Sequence, residues 1–258
     1  MWILLTLFAV AVAWTPSRKE ERIPLELRIV NEGLAHDEVT KSWLFSNQHV
    51  LYKTSIDPIK VQVTNANAIP KSLRDLKYDH IGDIDVYNNM IYGGIENKDD
   101  LNAALATFDI NTLEMINYVV TDDPDLPWVA VDPSTKILYS ARWNDCCSLK
   151  MYNADTLEYL GLFPVISSGN ATNSLPNEVQ GGAFYNGDLY ICVNADDNIY
   201  KIDMKTGNIE FVLSDAYNHH QYEMEGIDFY DLQEEGLGVM HLYGNFMSVE
   251  KQIRNYDP

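Results

Sequence analysis

Apolar and polar positions alternate over short stretches through most of the chain. Tyr200 and Ile202 alternate with polar neighbours, and the alternation resumes over residues 209–213 after a turn. A period of two predicts β-strands with one buried face. The stretches are separated by Asn, Asp and Gly, which tolerate the positive φ of tight hairpin turns, as at Asn186-Gly187. The pattern therefore predicts an all-β protein built from hairpins.

The predicted strands fall into units that repeat along the chain. Four segments share the order strand, tight turn, strand, loop, strand, tight turn, strand, and they begin near residues 82, 128, 181 and 225. One hairpin motif recurs in their second halves, as FDINTLEMI, YNADTLEYL and IDMKTGNIE. An earlier unit fits between Val39 and the mid-70s, where WLFSNQHVLYKTS resembles an opening hairpin. Repetition at roughly 40–50 residues is typical of propeller blades, whereas a β-sandwich has no reason to repeat one hairpin.

The repeat predicts a single β-propeller domain over residues 14–258. About five four-stranded blades fit the spacing, with six as the alternative. The last unit shows only three strands. Because an open ring leaves an unpaired strand edge, we expect the alternating stretch Leu25 to Val30 to supply the missing outer strand and close the propeller.

The first thirteen residues are almost entirely apolar and end in Ala11-Val12-Ala13. This pattern predicts a secretory signal peptide cleaved before Trp14, and hence a secreted, extracellular protein. The alternative is an uncleaved membrane anchor. Because a membrane span needs roughly 20 apolar residues, we expect cleavage and no membrane span in the mature protein.

The formal net charge is −20, carried by dispersed Asp and Glu residues. Such a charge repels phosphate backbones, so nucleic acid is not an expected partner. Divalent cations and small basic molecules are the natural partners, although solubility alone also explains an acidic surface.

Cysteine and glycosylation signals also fit an extracellular protein. Asn170 begins an N-glycosylation sequon within the Ser/Gly/Asn-rich stretch 167–177, which predicts an exposed, glycosylated loop. Cys192 can pair with Cys146 or Cys147, or the two adjacent cysteines can pair with each other. The sequence leaves these pairings open.

Candidate site residues cluster where blades begin, because the first strand of each blade lines the central channel. Those at or before the first strands are His36, Asp37, His80, Asp83, Asp125, Trp128, Glu178, Gln180, Glu223 and Glu225. Those in loops after the second strands are Trp143, Asn144, Asp145, Asn194, Asp196 and Asp197. Carboxylate and amide oxygens suit Ca²⁺, while His80 and His36 favour a transition metal or a general base. The alternative is that these residues cap turns.

Several strings carry a resemblance to a known class of proteins. They are HIGDID, PWVAVDP, Trp143-Asn144, VQGGAFYNG and EGIDFY. They resemble secreted propellers of the broad class that includes strictosidine-synthase-like proteins, paraoxonases and gluconolactonases. The resemblance implies a Ca²⁺-like ion in the central channel and, for several members, hydrolysis of lactones or esters. By position it implies Glu225 as the acidic ligand, with Asp83 and either Asn144 or Asn194 as partners.

Two functional hypotheses follow. The first is a small-ligand or divalent-cation site in the channel, in the form of a metal-dependent lactone or ester hydrolase. A cation would polarise the carbonyl, His80 or His36 would activate water, and Trp128, Trp143 and Gln180 would contact the ligand. The second is a non-enzymatic extracellular binding or matrix protein that acts through its acidic surface.

Overall fold

The computed structural model describes residues 13–17, 21–22, 32–99, 101–144, 148–167, 176–214, 222–246 and 250–258. These residues form five sheets, the blades of a five-bladed β-propeller. The predicted all-β propeller is therefore confirmed, with five blades rather than six. No helix among the described residues is long and apolar enough to cross a membrane.

Each blade is a hairpin-linked sheet whose strands follow one another in the chain. The N-terminal strands are β1 (Thr15–Pro16) and β2 (Glu21–Arg22). Blade one contains β3 (Gly33–Asp37), β4 (Ser42–Asn47), β5 (Val50–Ser55) and β6 (Val61–Asn65). Blade two contains β7 (Tyr78–Tyr87), β8 (Met90–Asn97), β9 (Ala104–Asp109) and β10 (Met115–Val120). Blade three contains β11 (Ala130–Asp132), β12 (Ile137–Ser140), β13 (Ser148–Asn153) and β14 (Tyr159–Pro164).

The remaining elements complete the ring. Blade four contains β15 (Ile166–Ser167), β16 (Val179–Tyr185), β17 (Asp188–Val193), β18 (Asn198–Ile202) and β19 (Asn208–Ser214). Blade five contains β20 (Tyr222–Leu232), β21 (Gly238–Phe246) and β22 (Glu250–Asp257). A short helix, α1 (Lys71–Arg74), and a 3₁₀ turn (Gln233–Glu235) lie between strands. Strand β15 joins the outer edge of blade four by parallel pairing with β19.

The N-terminal segment closes the propeller. Strands β1 and β2 both pair antiparallel with β22, with Thr15 opposite Asp257 and Glu21 opposite Ile253. They supply the outer edge that blade five lacks, so the last and first parts of the chain share one sheet. Closure by an N-terminal strand is confirmed. The stretch Leu25 to Val30, which we expected to form it, lies outside the described residues.

The recurrent hairpin motif has a direct physical cause. Its Asp or Asn side chain accepts the backbone N–H groups two and three residues later, as Asp109 does from Asn111 (2.9 Å) and Thr112 (2.7 Å). The fifth residue then adopts a positive φ, which is 60° at Leu113. Equivalent turns are built on Asn153 and Asp203. The side chain thus replaces strand hydrogen bonds in the turn and fixes the hairpin register.

The core lies between neighbouring blades. Every residue of β4 is buried, because another blade packs against each face of the sheet. Leu44 and Phe108 join the cluster between blades one and two, and Trp43, Phe45 and Tyr243 join the cluster between blades one and five. Each fully buried large apolar side chain contributes about 1.5–3 kcal/mol, so blade-to-blade packing holds the inner strands in place.

Candidate functional site at the channel mouths

Five inner strands surround the axis of the propeller. Around the ring, β3 contacts β7, β7 contacts β11, β11 contacts β16, β16 contacts β20, and β20 contacts β3. We call the end where these strands begin the upper mouth and the end where they finish the lower mouth. A residue near the start of an inner strand therefore lies towards the upper mouth, and a residue near its end lies towards the lower mouth.

Asp83 lies at the centre of the ring and is fully buried. Its Oδ1 atom accepts the backbone N–H of Leu34 (3.0 Å) in blade one, and its Oδ2 atom accepts that of Gly182 (3.3 Å) in blade four. Its own N–H donates to the carbonyl of Pro127 (2.8 Å), just before blade three. The carboxyl thus ties blade two to blades one and four, and the backbone N–H of the same residue ties it to the segment before blade three.

Glycines make room for the Asp83 carboxyl. A Cβ atom on Gly181 would lie 2.5 Å from Oδ2, and one on Gly226 would lie 2.7 Å from Oδ1. Neither distance is compatible with a side chain, so the strands approach this closely only because glycine occupies both positions. Burial raises the pKa of Asp83 well above its ordinary value, and the charge of Asp228 raises it further despite the backbone hydrogen bonds.

The upper mouth is ringed by the residues that precede these central glycines. Glu32, Gln180 and Glu225 each stand directly before a glycine that contacts Asp83. The Gln180 amide donates from Nε2 to Oε2 of Glu225 at 3.1 Å, and both side chains are buried. The repeated Glu-Gly or Gln-Gly pair at three blade starts is the sequence signal that could have identified Glu32.

His80 stands beside this ring and is partly open to solvent. Its Nε2 atom lies 3.1 Å from Oε2 of Glu32, and 34% of its side chain is exposed. Burial lowers the pKa of His80, but the hydrogen bond and charge of Glu32 outweigh burial and raise it. His80 is thus an oriented, accessible imidazole at the upper mouth.

Two further carboxyls belong to this part of the upper mouth, Glu96 beside His80 and Asp125 near Glu96. Glu96 pairs with His80 across β7 and β8, and burial together with the charges of Asp125 and Glu32 raises its pKa despite His80. Burial also raises the pKa of Asp125, whose Oδ2 accepts the backbone N–H of Trp143 at 3.2 Å. The other oxygen, Oδ1, is buried without a hydrogen-bond partner among the described residues. Sequence reasoning included Asp125 but missed Glu96.

The aromatic candidates separate into core and rim. We expected Trp128 to face the channel. Instead it is fully buried in the cluster shared by blades three and four, where it packs against Gly182. Trp143 is partly exposed, and its carbonyl accepts the backbone N–H of Glu178 (2.7 Å). Trp143 therefore remains at the rim of the upper mouth.

The residues expected to hold Ca²⁺ have hydrogen-bond partners within the protein or lie at the surface. Both oxygens of Asp83 accept backbone N–H groups, Oδ1 of Asn194 accepts that of Met224 (2.8 Å), and Oε2 of Glu225 accepts Gln180. Asn144 is exposed at the surface. No group of three or more His, Cys, Asp or Glu within the described ranges is arranged to hold a metal ion. We therefore derive no catalytic step through a metal.

His36 and Asp37 belong to the lower mouth, away from His80. We expected both residues to precede the first strand of blade one. They lie inside β3, because that strand already begins at Gly33, which is level with Asp83. His36 is three residues below this level and His80 is three above, which separates them by roughly 20 Å of strand. Nδ1 of His36 lies 2.7 Å from Oδ2 of Asp228, and its ring stacks on Tyr230 with centroids 4.4 Å apart.

The lower mouth also carries Asp85, a residue that sequence reasoning did not single out. Its Oδ2 atom accepts the backbone N–H of Val131 (2.6 Å). Burial, followed by the charge of Asp228, raises its pKa to about 7 despite this hydrogen bond and the nearby His36. Burial alone would lower the pKa of His36. The charge and hydrogen bond of Asp228 outweigh burial, so the pKa of His36 is raised.

The cysteines and the sequon add little to the site. Cys192 has a free, fully buried thiol, and burial raises its pKa well above the ordinary value, with Asp83 and Glu225 adding to the effect. The disulfide with Cys192 that we considered is therefore not formed. Cys146, Cys147 and the sequon residue Asn170 lie outside the described residues.

Comparison with known proteins supports the fold and leaves the sequence family open. No protein-family model and no curated protein matches this sequence. Among solved structures, the glutaminyl cyclase of Myxococcus xanthus is similar, with a TM-score of 0.66, 12% identity, and coverage of 95% of this chain and 97% of that chain. A luciferin-regenerating enzyme is also similar, with a TM-score of 0.62, 12% identity, and coverage of 93% and 95% respectively. Both are five-bladed propellers and both are named as enzymes.

Proposed function

We propose that the upper mouth is the active site of an acyl-transfer enzyme that acts on the carbonyl carbon of lactones, esters or amides. The observation that carries the proposal is His80, an accessible imidazole oriented by Glu32 and bordered by Glu96, whose pKa is raised. A base, an orienting carboxylate and a neutral carboxylic acid are the groups that such chemistry needs.

The Glu32 carboxylate defines which imidazole nitrogen acts as the base. It accepts the proton on Nε2 of His80, so the lone pair lies on Nδ1. Nδ1 then removes a proton from the attacking nucleophile as the carbon–oxygen or carbon–nitrogen bond to it forms. The resulting imidazolium is stabilised by Glu32, which is why its pKa is raised.

A carboxyl with a raised pKa supplies the proton for the leaving group. Burial raises the pKa of Glu96 and that of Asp125, and Oδ1 of Asp125 has no hydrogen-bond partner among the described residues. Protonation of the departing alkoxide or amine by such a carboxyl completes the exchange and leaves a carboxylate beside His80. The proton taken by His80 then restores that carboxyl through solvent.

The acidic surroundings favour neutral or cationic substrates over anions. The chain has a net charge of −20, and Glu32 and Glu96 border the base directly. The cyclase named among the similar structures acts, by its name, on a glutaminyl group, and in a peptide with N-terminal glutamine attack of the amine on the side-chain amide would release ammonia. Such a substrate carries an amine that an acidic mouth attracts, so we include it among the candidates.

The test is turnover of a defined substrate panel by purified protein. The panel contains γ- and δ-lactones, short p-nitrophenyl esters and a peptide with N-terminal glutamine, the last read by ammonia release. Turnover of one class is expected, with His80→Gln and Glu32→Gln lowering kcat/KM by roughly 100-fold or more. Glu114→Gln, an exposed isosteric change in blade two, is the matched control. Activity that survives His80→Gln but falls with His36→Gln would instead assign the lower mouth.

Dependence of turnover on a divalent cation stays a prediction, and it is tested by a separate measurement. Each assay is repeated after EDTA and after readdition of Ca²⁺, with loss and recovery expected only for a metal-dependent enzyme. Absence of turnover across the panel, together with cation binding that survives Asp83→Asn and Glu225→Gln, would favour the non-enzymatic binding or matrix protein.

We further propose that the protein is secreted and glycosylated. The apolar first thirteen residues and the sequon at Asn170 support this. Expression in a secreting host should release protein that starts at Trp14 and carries a glycan at Asn170, both read by mass spectrometry. Retention in the membrane fraction with residues 1–13 attached would contradict the proposal.

A further inference from the structure

A cavity of about 540 Å³ lies between the outer strands of blades two and three, away from both channel mouths. Its size is within the range of roughly 300–1,000 Å³ that holds small molecules. Val119 and Val120 from β10 face Leu157 and Tyr159 from blade three across it. Val120 and Tyr159 are both 53% exposed, so an apolar wall is open to solvent at the rim.

The opposite wall carries two cations that share one carboxyl oxygen. Oδ1 of Asp123 accepts Nε (3.1 Å) and Nη2 (2.9 Å) of Arg142, and it also accepts Nζ of Lys150. Its Oδ2 atom has only a long contact of 3.4 Å with the Tyr152 hydroxyl. Asp123 is buried, while Asp122 and Glu158 are exposed at the rim.

This arrangement leaves hydrogen-bond donors facing the cavity. Arg142 and Lys150 meet one buried carboxylate, Asp123, while the other two carboxyls of the lining, Asp122 and Glu158, lie at the exposed rim. Arg142 uses Nε and Nη2 on the same edge of its guanidinium, which leaves Nη1 on the other edge, and its side chain is 42% exposed. Lys150 has three donors, of which one reaches Asp123.

We propose that this cavity binds a monoanionic organic acid with an aliphatic or aromatic body. The carboxylate would bind Nη1 of Arg142 and Nζ of Lys150 beside Asp123, and the body would cover Val119, Val120 and Tyr159. In a chain with a net charge of −20, these two side chains would select an anion by local contact, since the overall field repels it. The cavity shares no lining residue with the acyl-transfer site, although the charges of Arg142 and Asp123 act on Asp125 of that site.

The experiment measures binding of decanoate by titration calorimetry, with decanamide as an uncharged probe of the same length. Saturable binding of decanoate is expected, with decanamide at least tenfold weaker because it lacks the charge that Arg142 and Lys150 recognise. Equal affinity for the two probes, or no saturable binding of decanoate, would overturn the proposal.

Two variants locate the binding in this cavity. Arg142→Gln should weaken decanoate binding about tenfold or more, and Lys150 remains to pair with Asp123 so that the fold is kept. Val120→Asp places a negative charge at the exposed rim and should also weaken it about tenfold. Ile116→Asp is the matched control, because Ile116 lies on the same strand with 56% exposure but does not line the cavity. Equal effects of Val120→Asp and Ile116→Asp would contradict the assigned position.

Discussion

The Oδ1 atom of Asp83 accepts the backbone N–H of Leu34 at 3.0 Å, which joins blade two to blade one at the axis of the propeller. The same carboxyl reaches blade four through Gly182. It fills the space left by Gly33, Gly181 and Gly226, and so lies between the residues of the upper mouth and those of the lower mouth.

Replacing Asp83 with Ala should destabilise the protein strongly. The change leaves the buried N–H groups of Leu34 and Gly182 without an acceptor, and each such group costs about 1–3 kcal/mol. We expect the free energy of unfolding in urea to fall by about 2–5 kcal/mol. Asp75→Ala, an exposed residue paired only with Lys71, should change it by less than about 0.5 kcal/mol. Equal effects of the two substitutions would show that Asp83 does not support the ring.

Asp85→Asn should change how stability depends on pH. The pKa of Asp85 is about 7 in the folded protein and 3.8 ordinarily. Between about pH 4 and pH 7 the unfolded chain releases this proton and the folded chain retains it, so the contribution of Asp85 to stability falls as pH rises. His36, whose pKa is raised from its ordinary 6.5, keeps its stabilising contribution below about pH 6.5 and loses it as pH rises further.

The measurement is urea unfolding of wild type and Asp85→Asn at intervals from pH 4.5 to pH 7.5. Because Asn cannot ionise, the variant should gain stability relative to wild type as pH rises. Asp75→Asn, on the exposed helix α1–loop junction, should run parallel to wild type. A constant difference between Asp85→Asn and wild type over this range would mean that Asp85 titrates near its ordinary pKa.

The fold could be predicted because its repeated turns are stabilised by hydrogen bonds between residues close in sequence. Side chains such as Asp109 and Asp203 fix their own hairpins by accepting nearby backbone N–H groups, so the turn motif recurs in the outer hairpins of blades two, three and four. The strands that close the propeller could not be predicted in this way. Strands β1 and β2 are two residues each and have no alternation to detect, since they are defined by pairing with β22 alone.

The site was harder to predict because it depends on where inner strands begin. His36 and His80 look equivalent in sequence, but β3 starts at Gly33, and this shift moves His36 to the lower mouth. Glu96 lies on a second strand, where no blade-start rule applies, and reaches His80 only through the β7–β8 register. Trp128 packs in the core against Gly182. This contact joins two blades, and the alternation of residues along a strand does not reveal it.

Trp14 links N-terminal processing to stability. Its ring packs edge-on against Tyr185 (5.6 Å) and Tyr190 (6.3 Å) and lies 5.8 Å from Phe229, next to strand β1. It thereby fastens the closing segment to blades four and five. Trp14→Ala removes a partly buried aromatic ring and its contacts, and should lower the free energy of unfolding by about 1–3 kcal/mol.

The closing segment itself should matter more than that one ring. Protein that starts at Trp14 is compared by thermal unfolding and size-exclusion chromatography with protein that starts at residue 23, which lacks β1 and β2. Loss of both strands exposes the edge of β22, so we expect a lower Tm and association through that edge. Tyr118→Ala, on an outer strand and 42% exposed, is the control and should leave Tm nearly unchanged. If the shortened protein matched the longer one in Tm and remained monomeric, pairing of β1 and β2 with β22 would not be what closes the propeller.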